Sequence, residues 1–185
     1  RQPVAGHQIV RTDMARDVVI LDGVRTAVGG FGGSLKDHAP TKLGAIVIRE
    51  ALRRAGVEAG EVQQTVMGHV INTEPRDMYL SRVAAVEAGV PVGSPAMNVN
   101  RLCGSGLQAV VSATQAIQLG DADVAVAGGA ECMTRGPHST QSLRSGQKMG
   151  DLSFTDMMLG ALNDPFGNGH MGITAENVAA EHQIS

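Results

Sequence analysis

Apolar positions fall into two rhythms along the chain, short unbroken runs and stretches repeating every three to four residues. Val18-Val19-Ile20-Leu21 is an unbroken run between Asp17 and Asp22-Gly23, the pattern of a buried strand. A Gly-rich loop follows over residues 24–40. Thr41 then reads as the cap of a helix to about Ala55, with Leu43, Ile46, Val47, Ala51 and Leu52 on one face and Gly56 as its stop. The stretch Val62 to Ile71 holds a second strand near Thr65-Val66-Met67-Gly68. Asp77 has the position of an N-cap for a helix ending near Gly89, with Pro91 just beyond. Met97 to Val99 is a third strand, and Cys103 to Leu119 a helix with Leu107, Val110, Val111, Thr114 and Ile117 turned inward and Gly120 after its end. Val124-Ala125-Val126-Ala127 is a fourth strand, ended by Gly128-Gly129.

Four strands therefore alternate with three helices. That order predicts an α/β domain with a buried, mainly parallel sheet. The pattern changes at Thr134. From there to His170 the chain is rich in Gly, Ser, Pro and Met, with a short helix expected near Asp156–Ala161. So long an excursion in a compact domain is usually functional. A final helix is expected from about Thr174, and no further strand follows it before Ser185, as if the fold stopped half-way. Residues 1–13 carry no periodicity and precede Met14; they read as an extension to the fold, with a transit peptide as the weaker alternative.

Composition narrows the function classes. The 185 residues carry 15 Lys+Arg against 18 Asp+Glu, a net charge of −3, so no basic field favours nucleic acid. Hydrophobic residues at 43% can supply a core, but Phe31, Tyr79, Phe154 and Phe166 are the only aromatics, so that core is aliphatic. Glycine, at 24 residues, has roughly twice its usual share, which implies tight turns and close backbone approaches. Two cysteines, Cys103 and Cys132, make no disulfide framework, and a reducing, cytoplasmic setting is expected. No apolar run reaches the length of a membrane helix, and no metal-ligand spacing links His7, His38, His69, His138, His170 and His182. Gly29-Gly30-Phe31-Gly32-Gly33 lacks the spacing and the strand-to-helix context of a dinucleotide loop.

The residue with the clearest chemistry is Cys103. It follows an expected strand and opens an expected helix, where the macrodipole and unpaired N–H groups favour the nucleophilic thiolate. Gly104, Ser105 and Gly106 leave room for a bulky thioester, and the Cys103 N–H can donate to an oxyanion during acyl transfer. A cysteine in an α/β core is equally well read as a small buried hydrophobe.

Asn100-Arg101-Leu102-Cys103-Gly104-Ser105-Gly106-Leu107-Gln108-Ala109 resembles the acyl-enzyme signature of the thiolase family. Five more segments resemble that family in order. They are Asp22 to Thr26 with Gly32 to Leu35; Glu74-Pro75-Arg76-Asp77-Met78; Gly128-Gly129-Ala130-Glu131 with Met133; Met149-Gly150-Asp151; and His170-Met171-Gly172 with Thr174 to Asn177. The resemblance covers residues 17–185, and the Glu74–Tyr79 stretch is most similar to bacterial biosynthetic β-ketothiolases.

This resemblance implies the first half of a thiolase-type layered αβαβα fold. Residues 14–133 would form the N-terminal α/β domain, 134–172 the loop domain over coenzyme A, and 173–185 the start of the next helix. It implies that Cys103 takes an acyl group from an acyl-CoA and passes it to the α-carbon of acetyl-CoA, giving a 3-ketoacyl-CoA, or runs the reverse thiolysis. Coenzyme A thioesters would be substrates, with no permanently bound cofactor and no metal. Carried over by position, Leu162, His170 and Met171 would contact the pantetheine arm, while Met149, Met157 and Met158 would line the acyl end or simply pack in the core. The family activates its nucleophile with a His in a Gly-His-Pro motif and deprotonates with a second Cys, both from its C-terminal half. Neither stands in this chain: Gly68-His69-Val70 lacks the proline and lies where the family more often has Asn, and Cys132 lies where relatives usually carry Ser. The resemblance also implies a homotetramer built from tight dimers, with Asn72–Tyr79 and Asn98–Leu102 facing the dimer partner and Arg135–Met149 the tetramer contact. Two other readings stay open: a related ketoacyl synthase or hydroxymethylglutaryl-CoA synthase, and a non-catalytic or partial subunit.

Overall fold

A computed structural model describes residues 16–185; the extension expected over residues 1–13 lies outside them. Helix α1 spans Pro40–Ala55, strand β1 Gln64–Gly68, helix α2 Leu80–Ala88, strand β2 Ala96–Val99, helix α3 Ser105–Leu119 and strand β3 Ala125–Gly129. The three strands form one parallel sheet in the order β2-β1-β3, with Val66 beside Met97 on one side and beside Ala127 on the other.

Strand period two sorts the side chains into two cores. Met67 of β1 joins Ala45, Ile48 and Leu52 of α1 and Leu80, Ala84 and Ala85 of α2 on one face. Val66 points the other way, onto Ala109 and Ala113 of α3. The result is a helix–sheet–helix sandwich. Burying a side chain such as Ile48, Met67 or Leu80, each under 2% exposed, contributes about 1.5–3 kcal/mol. The three parallel strands all point their carboxyl ends to one edge, where open α/β sheets bind ligands.

Several expectations shift. The apolar run Val18–Leu21 forms no strand ladder among the described residues, and Val19, Ile20 and Leu21 are 73%, 80% and 62% exposed. It runs beside β3 without pairing, and two cavities of about 280 and 270 Å³ lie along the segment between Asp17 and Thr26 and the residues Val124 to Glu131. Ala39, not Thr41, is the N-cap of α1; Pro40 takes the first turn, where its missing N–H costs nothing, and Thr41 is buried. The buried face of α1 runs through Leu43, Ala45, Ile48 and Leu52, and leaves Ile46 half exposed. Asp77 lies inside a 3₁₀ turn over Pro75–Tyr79, and α2 begins only at Leu80. Helix α3 begins at Ser105 with Gly104 as cap, and turns small residues to the sheet while Leu107 and Val111 stay exposed. Strand β3 continues through Gly128 and Gly129 instead of ending before them. Gly56, Gly89 and Gly120 do stop their helices, each in the left-handed region open to glycine.

The excursion has its own small framework. Strands β4 (His138–Ser139) and β5 (Thr155–Asp156) pair antiparallel around helix α4 (Ser142–Ser145). Asp156 caps helix α5 (Met157–Leu162) by accepting from the Met158 and Leu159 N–H groups. Helix α6 (Met171–His182) begins three residues before the expected Thr174, with His170 as its cap.

On α1, Glu50 accepts hydrogen bonds from Arg53 at 2.8 Å and Arg54 at 2.7 Å. The Arg53 bond first, and the Arg54 bond beside it, hold the Glu50 carboxyl down from 4.5 to about 2. Because the folded value is the lowered one, this contribution is complete above the ordinary value and fades as pH falls toward about 2. A carboxyl-carbon NMR titration is expected to place the Glu50 midpoint near 2; a midpoint at the ordinary 4.5 would show that the fork is not populated in solution.

Candidate active site

Cys103 lies four residues past the end of β2, on the carboxyl edge of the sheet. The turn that carries it is tightly specified. The Asn100 side chain accepts from the Leu102 N–H at 3.0 Å, and the Ser105 hydroxyl accepts from the Arg101 N–H at 2.8 Å while donating to the Leu102 carbonyl at 2.6 Å. The Gly104 and Ser105 N–H groups close back onto the Arg101 and Leu102 carbonyls at 3.0 Å. Within this net Leu102 has a φ of 48°, a left-handed conformation that costs a side-chain-bearing residue about 1–2 kcal/mol. The strain turns the chain sharply just before Cys103 and leaves the thiol exposed. Among the described residues, the N–H groups of Cys103, Gly106 and Leu107 donate to no protein acceptor. They are unspent donors at the positive end of α3, suited to a developing oxyanion.

Strand β1 forms the floor of this turn. Gly68 touches the start of α3 so closely that a Cβ there would come within 2.6 Å of the Ser105 carbonyl carbon and 2.8 Å of the Gly106 nitrogen. Next to it lies a polar cluster that sequence reasoning did not assemble, with His69 and Asp77 buried and Glu131 at its exposed edge. The His69 ring reaches the Ala130 carbonyl with Nδ1 at 2.8 Å and faces Asp77 Oδ2 with Nε2 at 3.9 Å. Asp77, fully buried, accepts from the Thr73 N–H, the Thr73 hydroxyl and the Glu74 N–H through Oδ2. Glu131 accepts from the Val70 and Ile71 N–H groups at 2.9 and 3.1 Å. The one signal in the sequence was that Gly68-His69 and Gly129-Ala130-Glu131 each end a strand.

Leu162, His170 and Met171 are brought together at the far end of the excursion. Asn163 and His170 form an antiparallel bridge, and the Asp164 carboxylate closes the intervening loop by accepting from the Phe166 and Asn168 N–H groups and the Asn168 side chain. His170 Nδ1 accepts from the Gly172 N–H at 2.9 Å, which leaves Nε2 for a ligand. No hydrogen bond joins this group to Cys103, and Cys103 lines neither cavity beside β3. Arg135 ties the root of the excursion to the 72–79 loop through Glu74 at 2.9 Å. Met149 is 88% exposed and Met157 is also exposed, so neither packs in a core. Cys132 is buried, its thiol 3.9 Å from the Leu35 and Lys36 carbonyls.

Comparison with known proteins decides what this geometry belongs to. Residues 18–185 match the family model for the thiolase N-terminal domain. The chain belongs to the thiolase family. It is 63% identical over 172 residues to the beta-ketothiolase BktB of Cupriavidus necator, covering 93% of this chain and 44% of that protein. It is 46% identical over 169 residues to the cytosolic acetyl-CoA acetyltransferase of Rattus norvegicus, covering 91% of this chain and 42% of the relative. Among solved structures, human mitochondrial 3-ketoacyl-CoA thiolase in complex with CoA superimposes with a TM-score of 0.87 at 34% identity, over 93% of this chain and 44% of that one. The acetyl-CoA acetyltransferase of Bacillus anthracis gives 0.83 at 38% identity, over 90% of this chain and 42% of that one. The fold is thus the thiolase α/β fold, and the chain spans less than half the length of these thiolase relatives.

Proposed function

We propose that the protein carrying this segment is an acyl-CoA acetyltransferase in which Cys103 bears the acyl group. One observation carries the reading: the exposed Cys103 thiol stands on a strained turn at the sheet's carboxyl edge, beside unspent N–H donors. The Cys103 sulfur attacks the thioester carbonyl. The negative oxygen of the tetrahedral adduct collects hydrogen bonds from those donors, the carbon–sulfur bond to coenzyme A breaks, and the coenzyme leaves as a thiolate that takes up a proton. In the second half the α-carbon of acetyl-CoA gives its proton to a general base, which balances the proton taken up by the departed coenzyme, and the carbanion attacks the acyl carbonyl. The bond to Cys103 breaks and a 3-ketoacyl-CoA departs; thiolysis is the same path reversed. Similarity to the thiolase relatives supports this direction of chemistry.

Leu162, His170 and Met171 are proposed to hold the pantetheine arm: two apolar side chains and a ring with one free nitrogen suit a tether of methylenes and amides. Residues 14–133 act as the nucleophile-bearing domain and 134–172 as the cover. The assembly is proposed to be a cytoplasmic homotetramer of tight dimers. The exposed Met78, Tyr79, Met97 and Leu102 around the edge strand β2 support a partner surface there. No described helix is long and apolar enough to cross a membrane.

The test is condensation itself. The whole protein incubated with acetyl-CoA alone is expected to release free thiol and form acetoacetyl-CoA in equal amounts. Thiol release without a 3-ketoacyl product, or no release at all, would contradict the proposal.

A further inference from the structure

We infer that His69 is a positioning residue for acyl transfer, pinning the ends of all three strands beneath the nucleophile turn through the bond from its Nδ1–H to the Ala130 carbonyl. The inference rests on the proposed role of Cys103. A carbonyl oxygen only accepts, so at 2.8 Å the ring nitrogen must be the donor, which fixes Nδ1 as protonated. The backbone of His69 works in the other direction: its N–H donates to the Val99 carbonyl at 3.1 Å, at the end of β2. Ala130, just past β3, is held at both backbone groups, its N–H on the Gly68 carbonyl at 3.1 Å and its own carbonyl on the His69 ring. One residue thus joins β2, β1 and β3 where all three finish.

That junction matters because Gly68 presses on Ser105 and Gly106 with no space to spare. Any shift of β1 against β3 is passed to the start of α3, and the Cys103 turn hangs on Ser105 through the hydroxyl that bridges Arg101 and Leu102. The His69 side chain is 2% exposed and forms no hydrogen bond with Cys103. It therefore acts through placement and not by taking the thiol proton. On its other side Nε2 and Asp77 Oδ1 are both buried without a hydrogen-bond partner among the described residues. The Asp77 carboxylate at 3.9 Å and the Glu131 carboxylate at 3.4 Å flank the ring and connect it to the 72–79 loop. The ring is confined on both edges, which suits a group that sets a distance.

Two substitutions in the whole protein test this. His69→Asn keeps an N–H donor near the Nδ1 position, whereas His69→Leu fills similar space and offers none. Asn is expected to keep kcat within about threefold, and Leu to lose roughly tenfold to a hundredfold in kcat with KM for acetyl-CoA unchanged, the size of effect expected from a displaced nucleophile. Where His69→Leu fails to fold, His69→Met removes the same donor on a more adaptable side chain. Full activity in the apolar variants, equal losses in Asn and Leu, or a loss confined to KM would overturn the inference. An unacylated wild-type Cys103 would instead overturn the proposed function, so the two failures are distinct.

Discussion

Replacing Cys103 with serine is expected to lower acyl transfer by about three orders of magnitude or more while leaving the fold in place. Sulfur is the stronger nucleophile toward a thioester carbonyl, and a serine hydroxyl gives up its proton far less readily than a thiol does. The product would also be an oxoester, whose carbonyl is a poorer acyl donor to a carbanion than a thioester's. Stability should move by no more than about 0.5 kcal/mol, because Cys103 is exposed and its side chain makes no hydrogen bond among the described residues. Single-turnover release of coenzyme A in the whole protein, set beside a denaturation midpoint, checks both halves. A serine variant that turns over within tenfold of the parent would remove Cys103 from the reaction.

The second large effect comes from adding a single methyl group. Gly68→Ala places a Cβ 2.6 Å from the Ser105 carbonyl carbon and 2.8 Å from the Gly106 nitrogen, both backbone atoms that cannot swing aside. Either β1 or α3 must move, and overpacking of this kind costs about 3 kcal/mol. The displaced element is the one that carries the Cys103 turn, so activity should fall further than stability alone dictates. Gly60→Ala is the control, since a Cβ there meets nothing within 4 Å. Urea midpoints and acetyl-transfer rates of the two variants should separate cleanly. Equal midpoints would mean that the β1–α3 approach is looser than the structure shows.

The order of elements was legible because short stretches of Val, Met and Ala that end in glycine mark β1 and β3, although β1 opens on the polar Gln64 and Thr65 and β3 is only half buried. Faces were harder. In α3 the large residues Leu107 and Val111 look like the core, yet β1 is close enough that only Ala109 and Ala113 fit against Val66. The size of the space, which periodicity does not encode, chose the small side chains. Val18–Leu21 has the composition of a buried strand, but composition does not supply a neighbour, and none of the described residues pairs with it.

The site divides in the same way. Cys103 was legible because a strand-to-helix turn is local: its donors, its strain and its thiol lie within Asn100–Leu107. His69, Asp77 and Glu131 were not assembled, since the His69–Ala130 bond joins residues 61 apart in the chain and only the sheet order β2-β1-β3 makes them neighbours. Leu162, His170 and Met171 were singled out through family resemblance; the Asn163–His170 bridge supplies a physical reason for their proximity.

The most direct test is peptide mapping of the whole protein quenched in acid shortly after mixing with acetyl-CoA. The peptide containing Cys103 should gain one acetyl group that hydroxylamine removes, and Cys132 should carry none. Acetyl found on another residue, or an unmodified Cys103 while coenzyme A is being released, would contradict the account at its root.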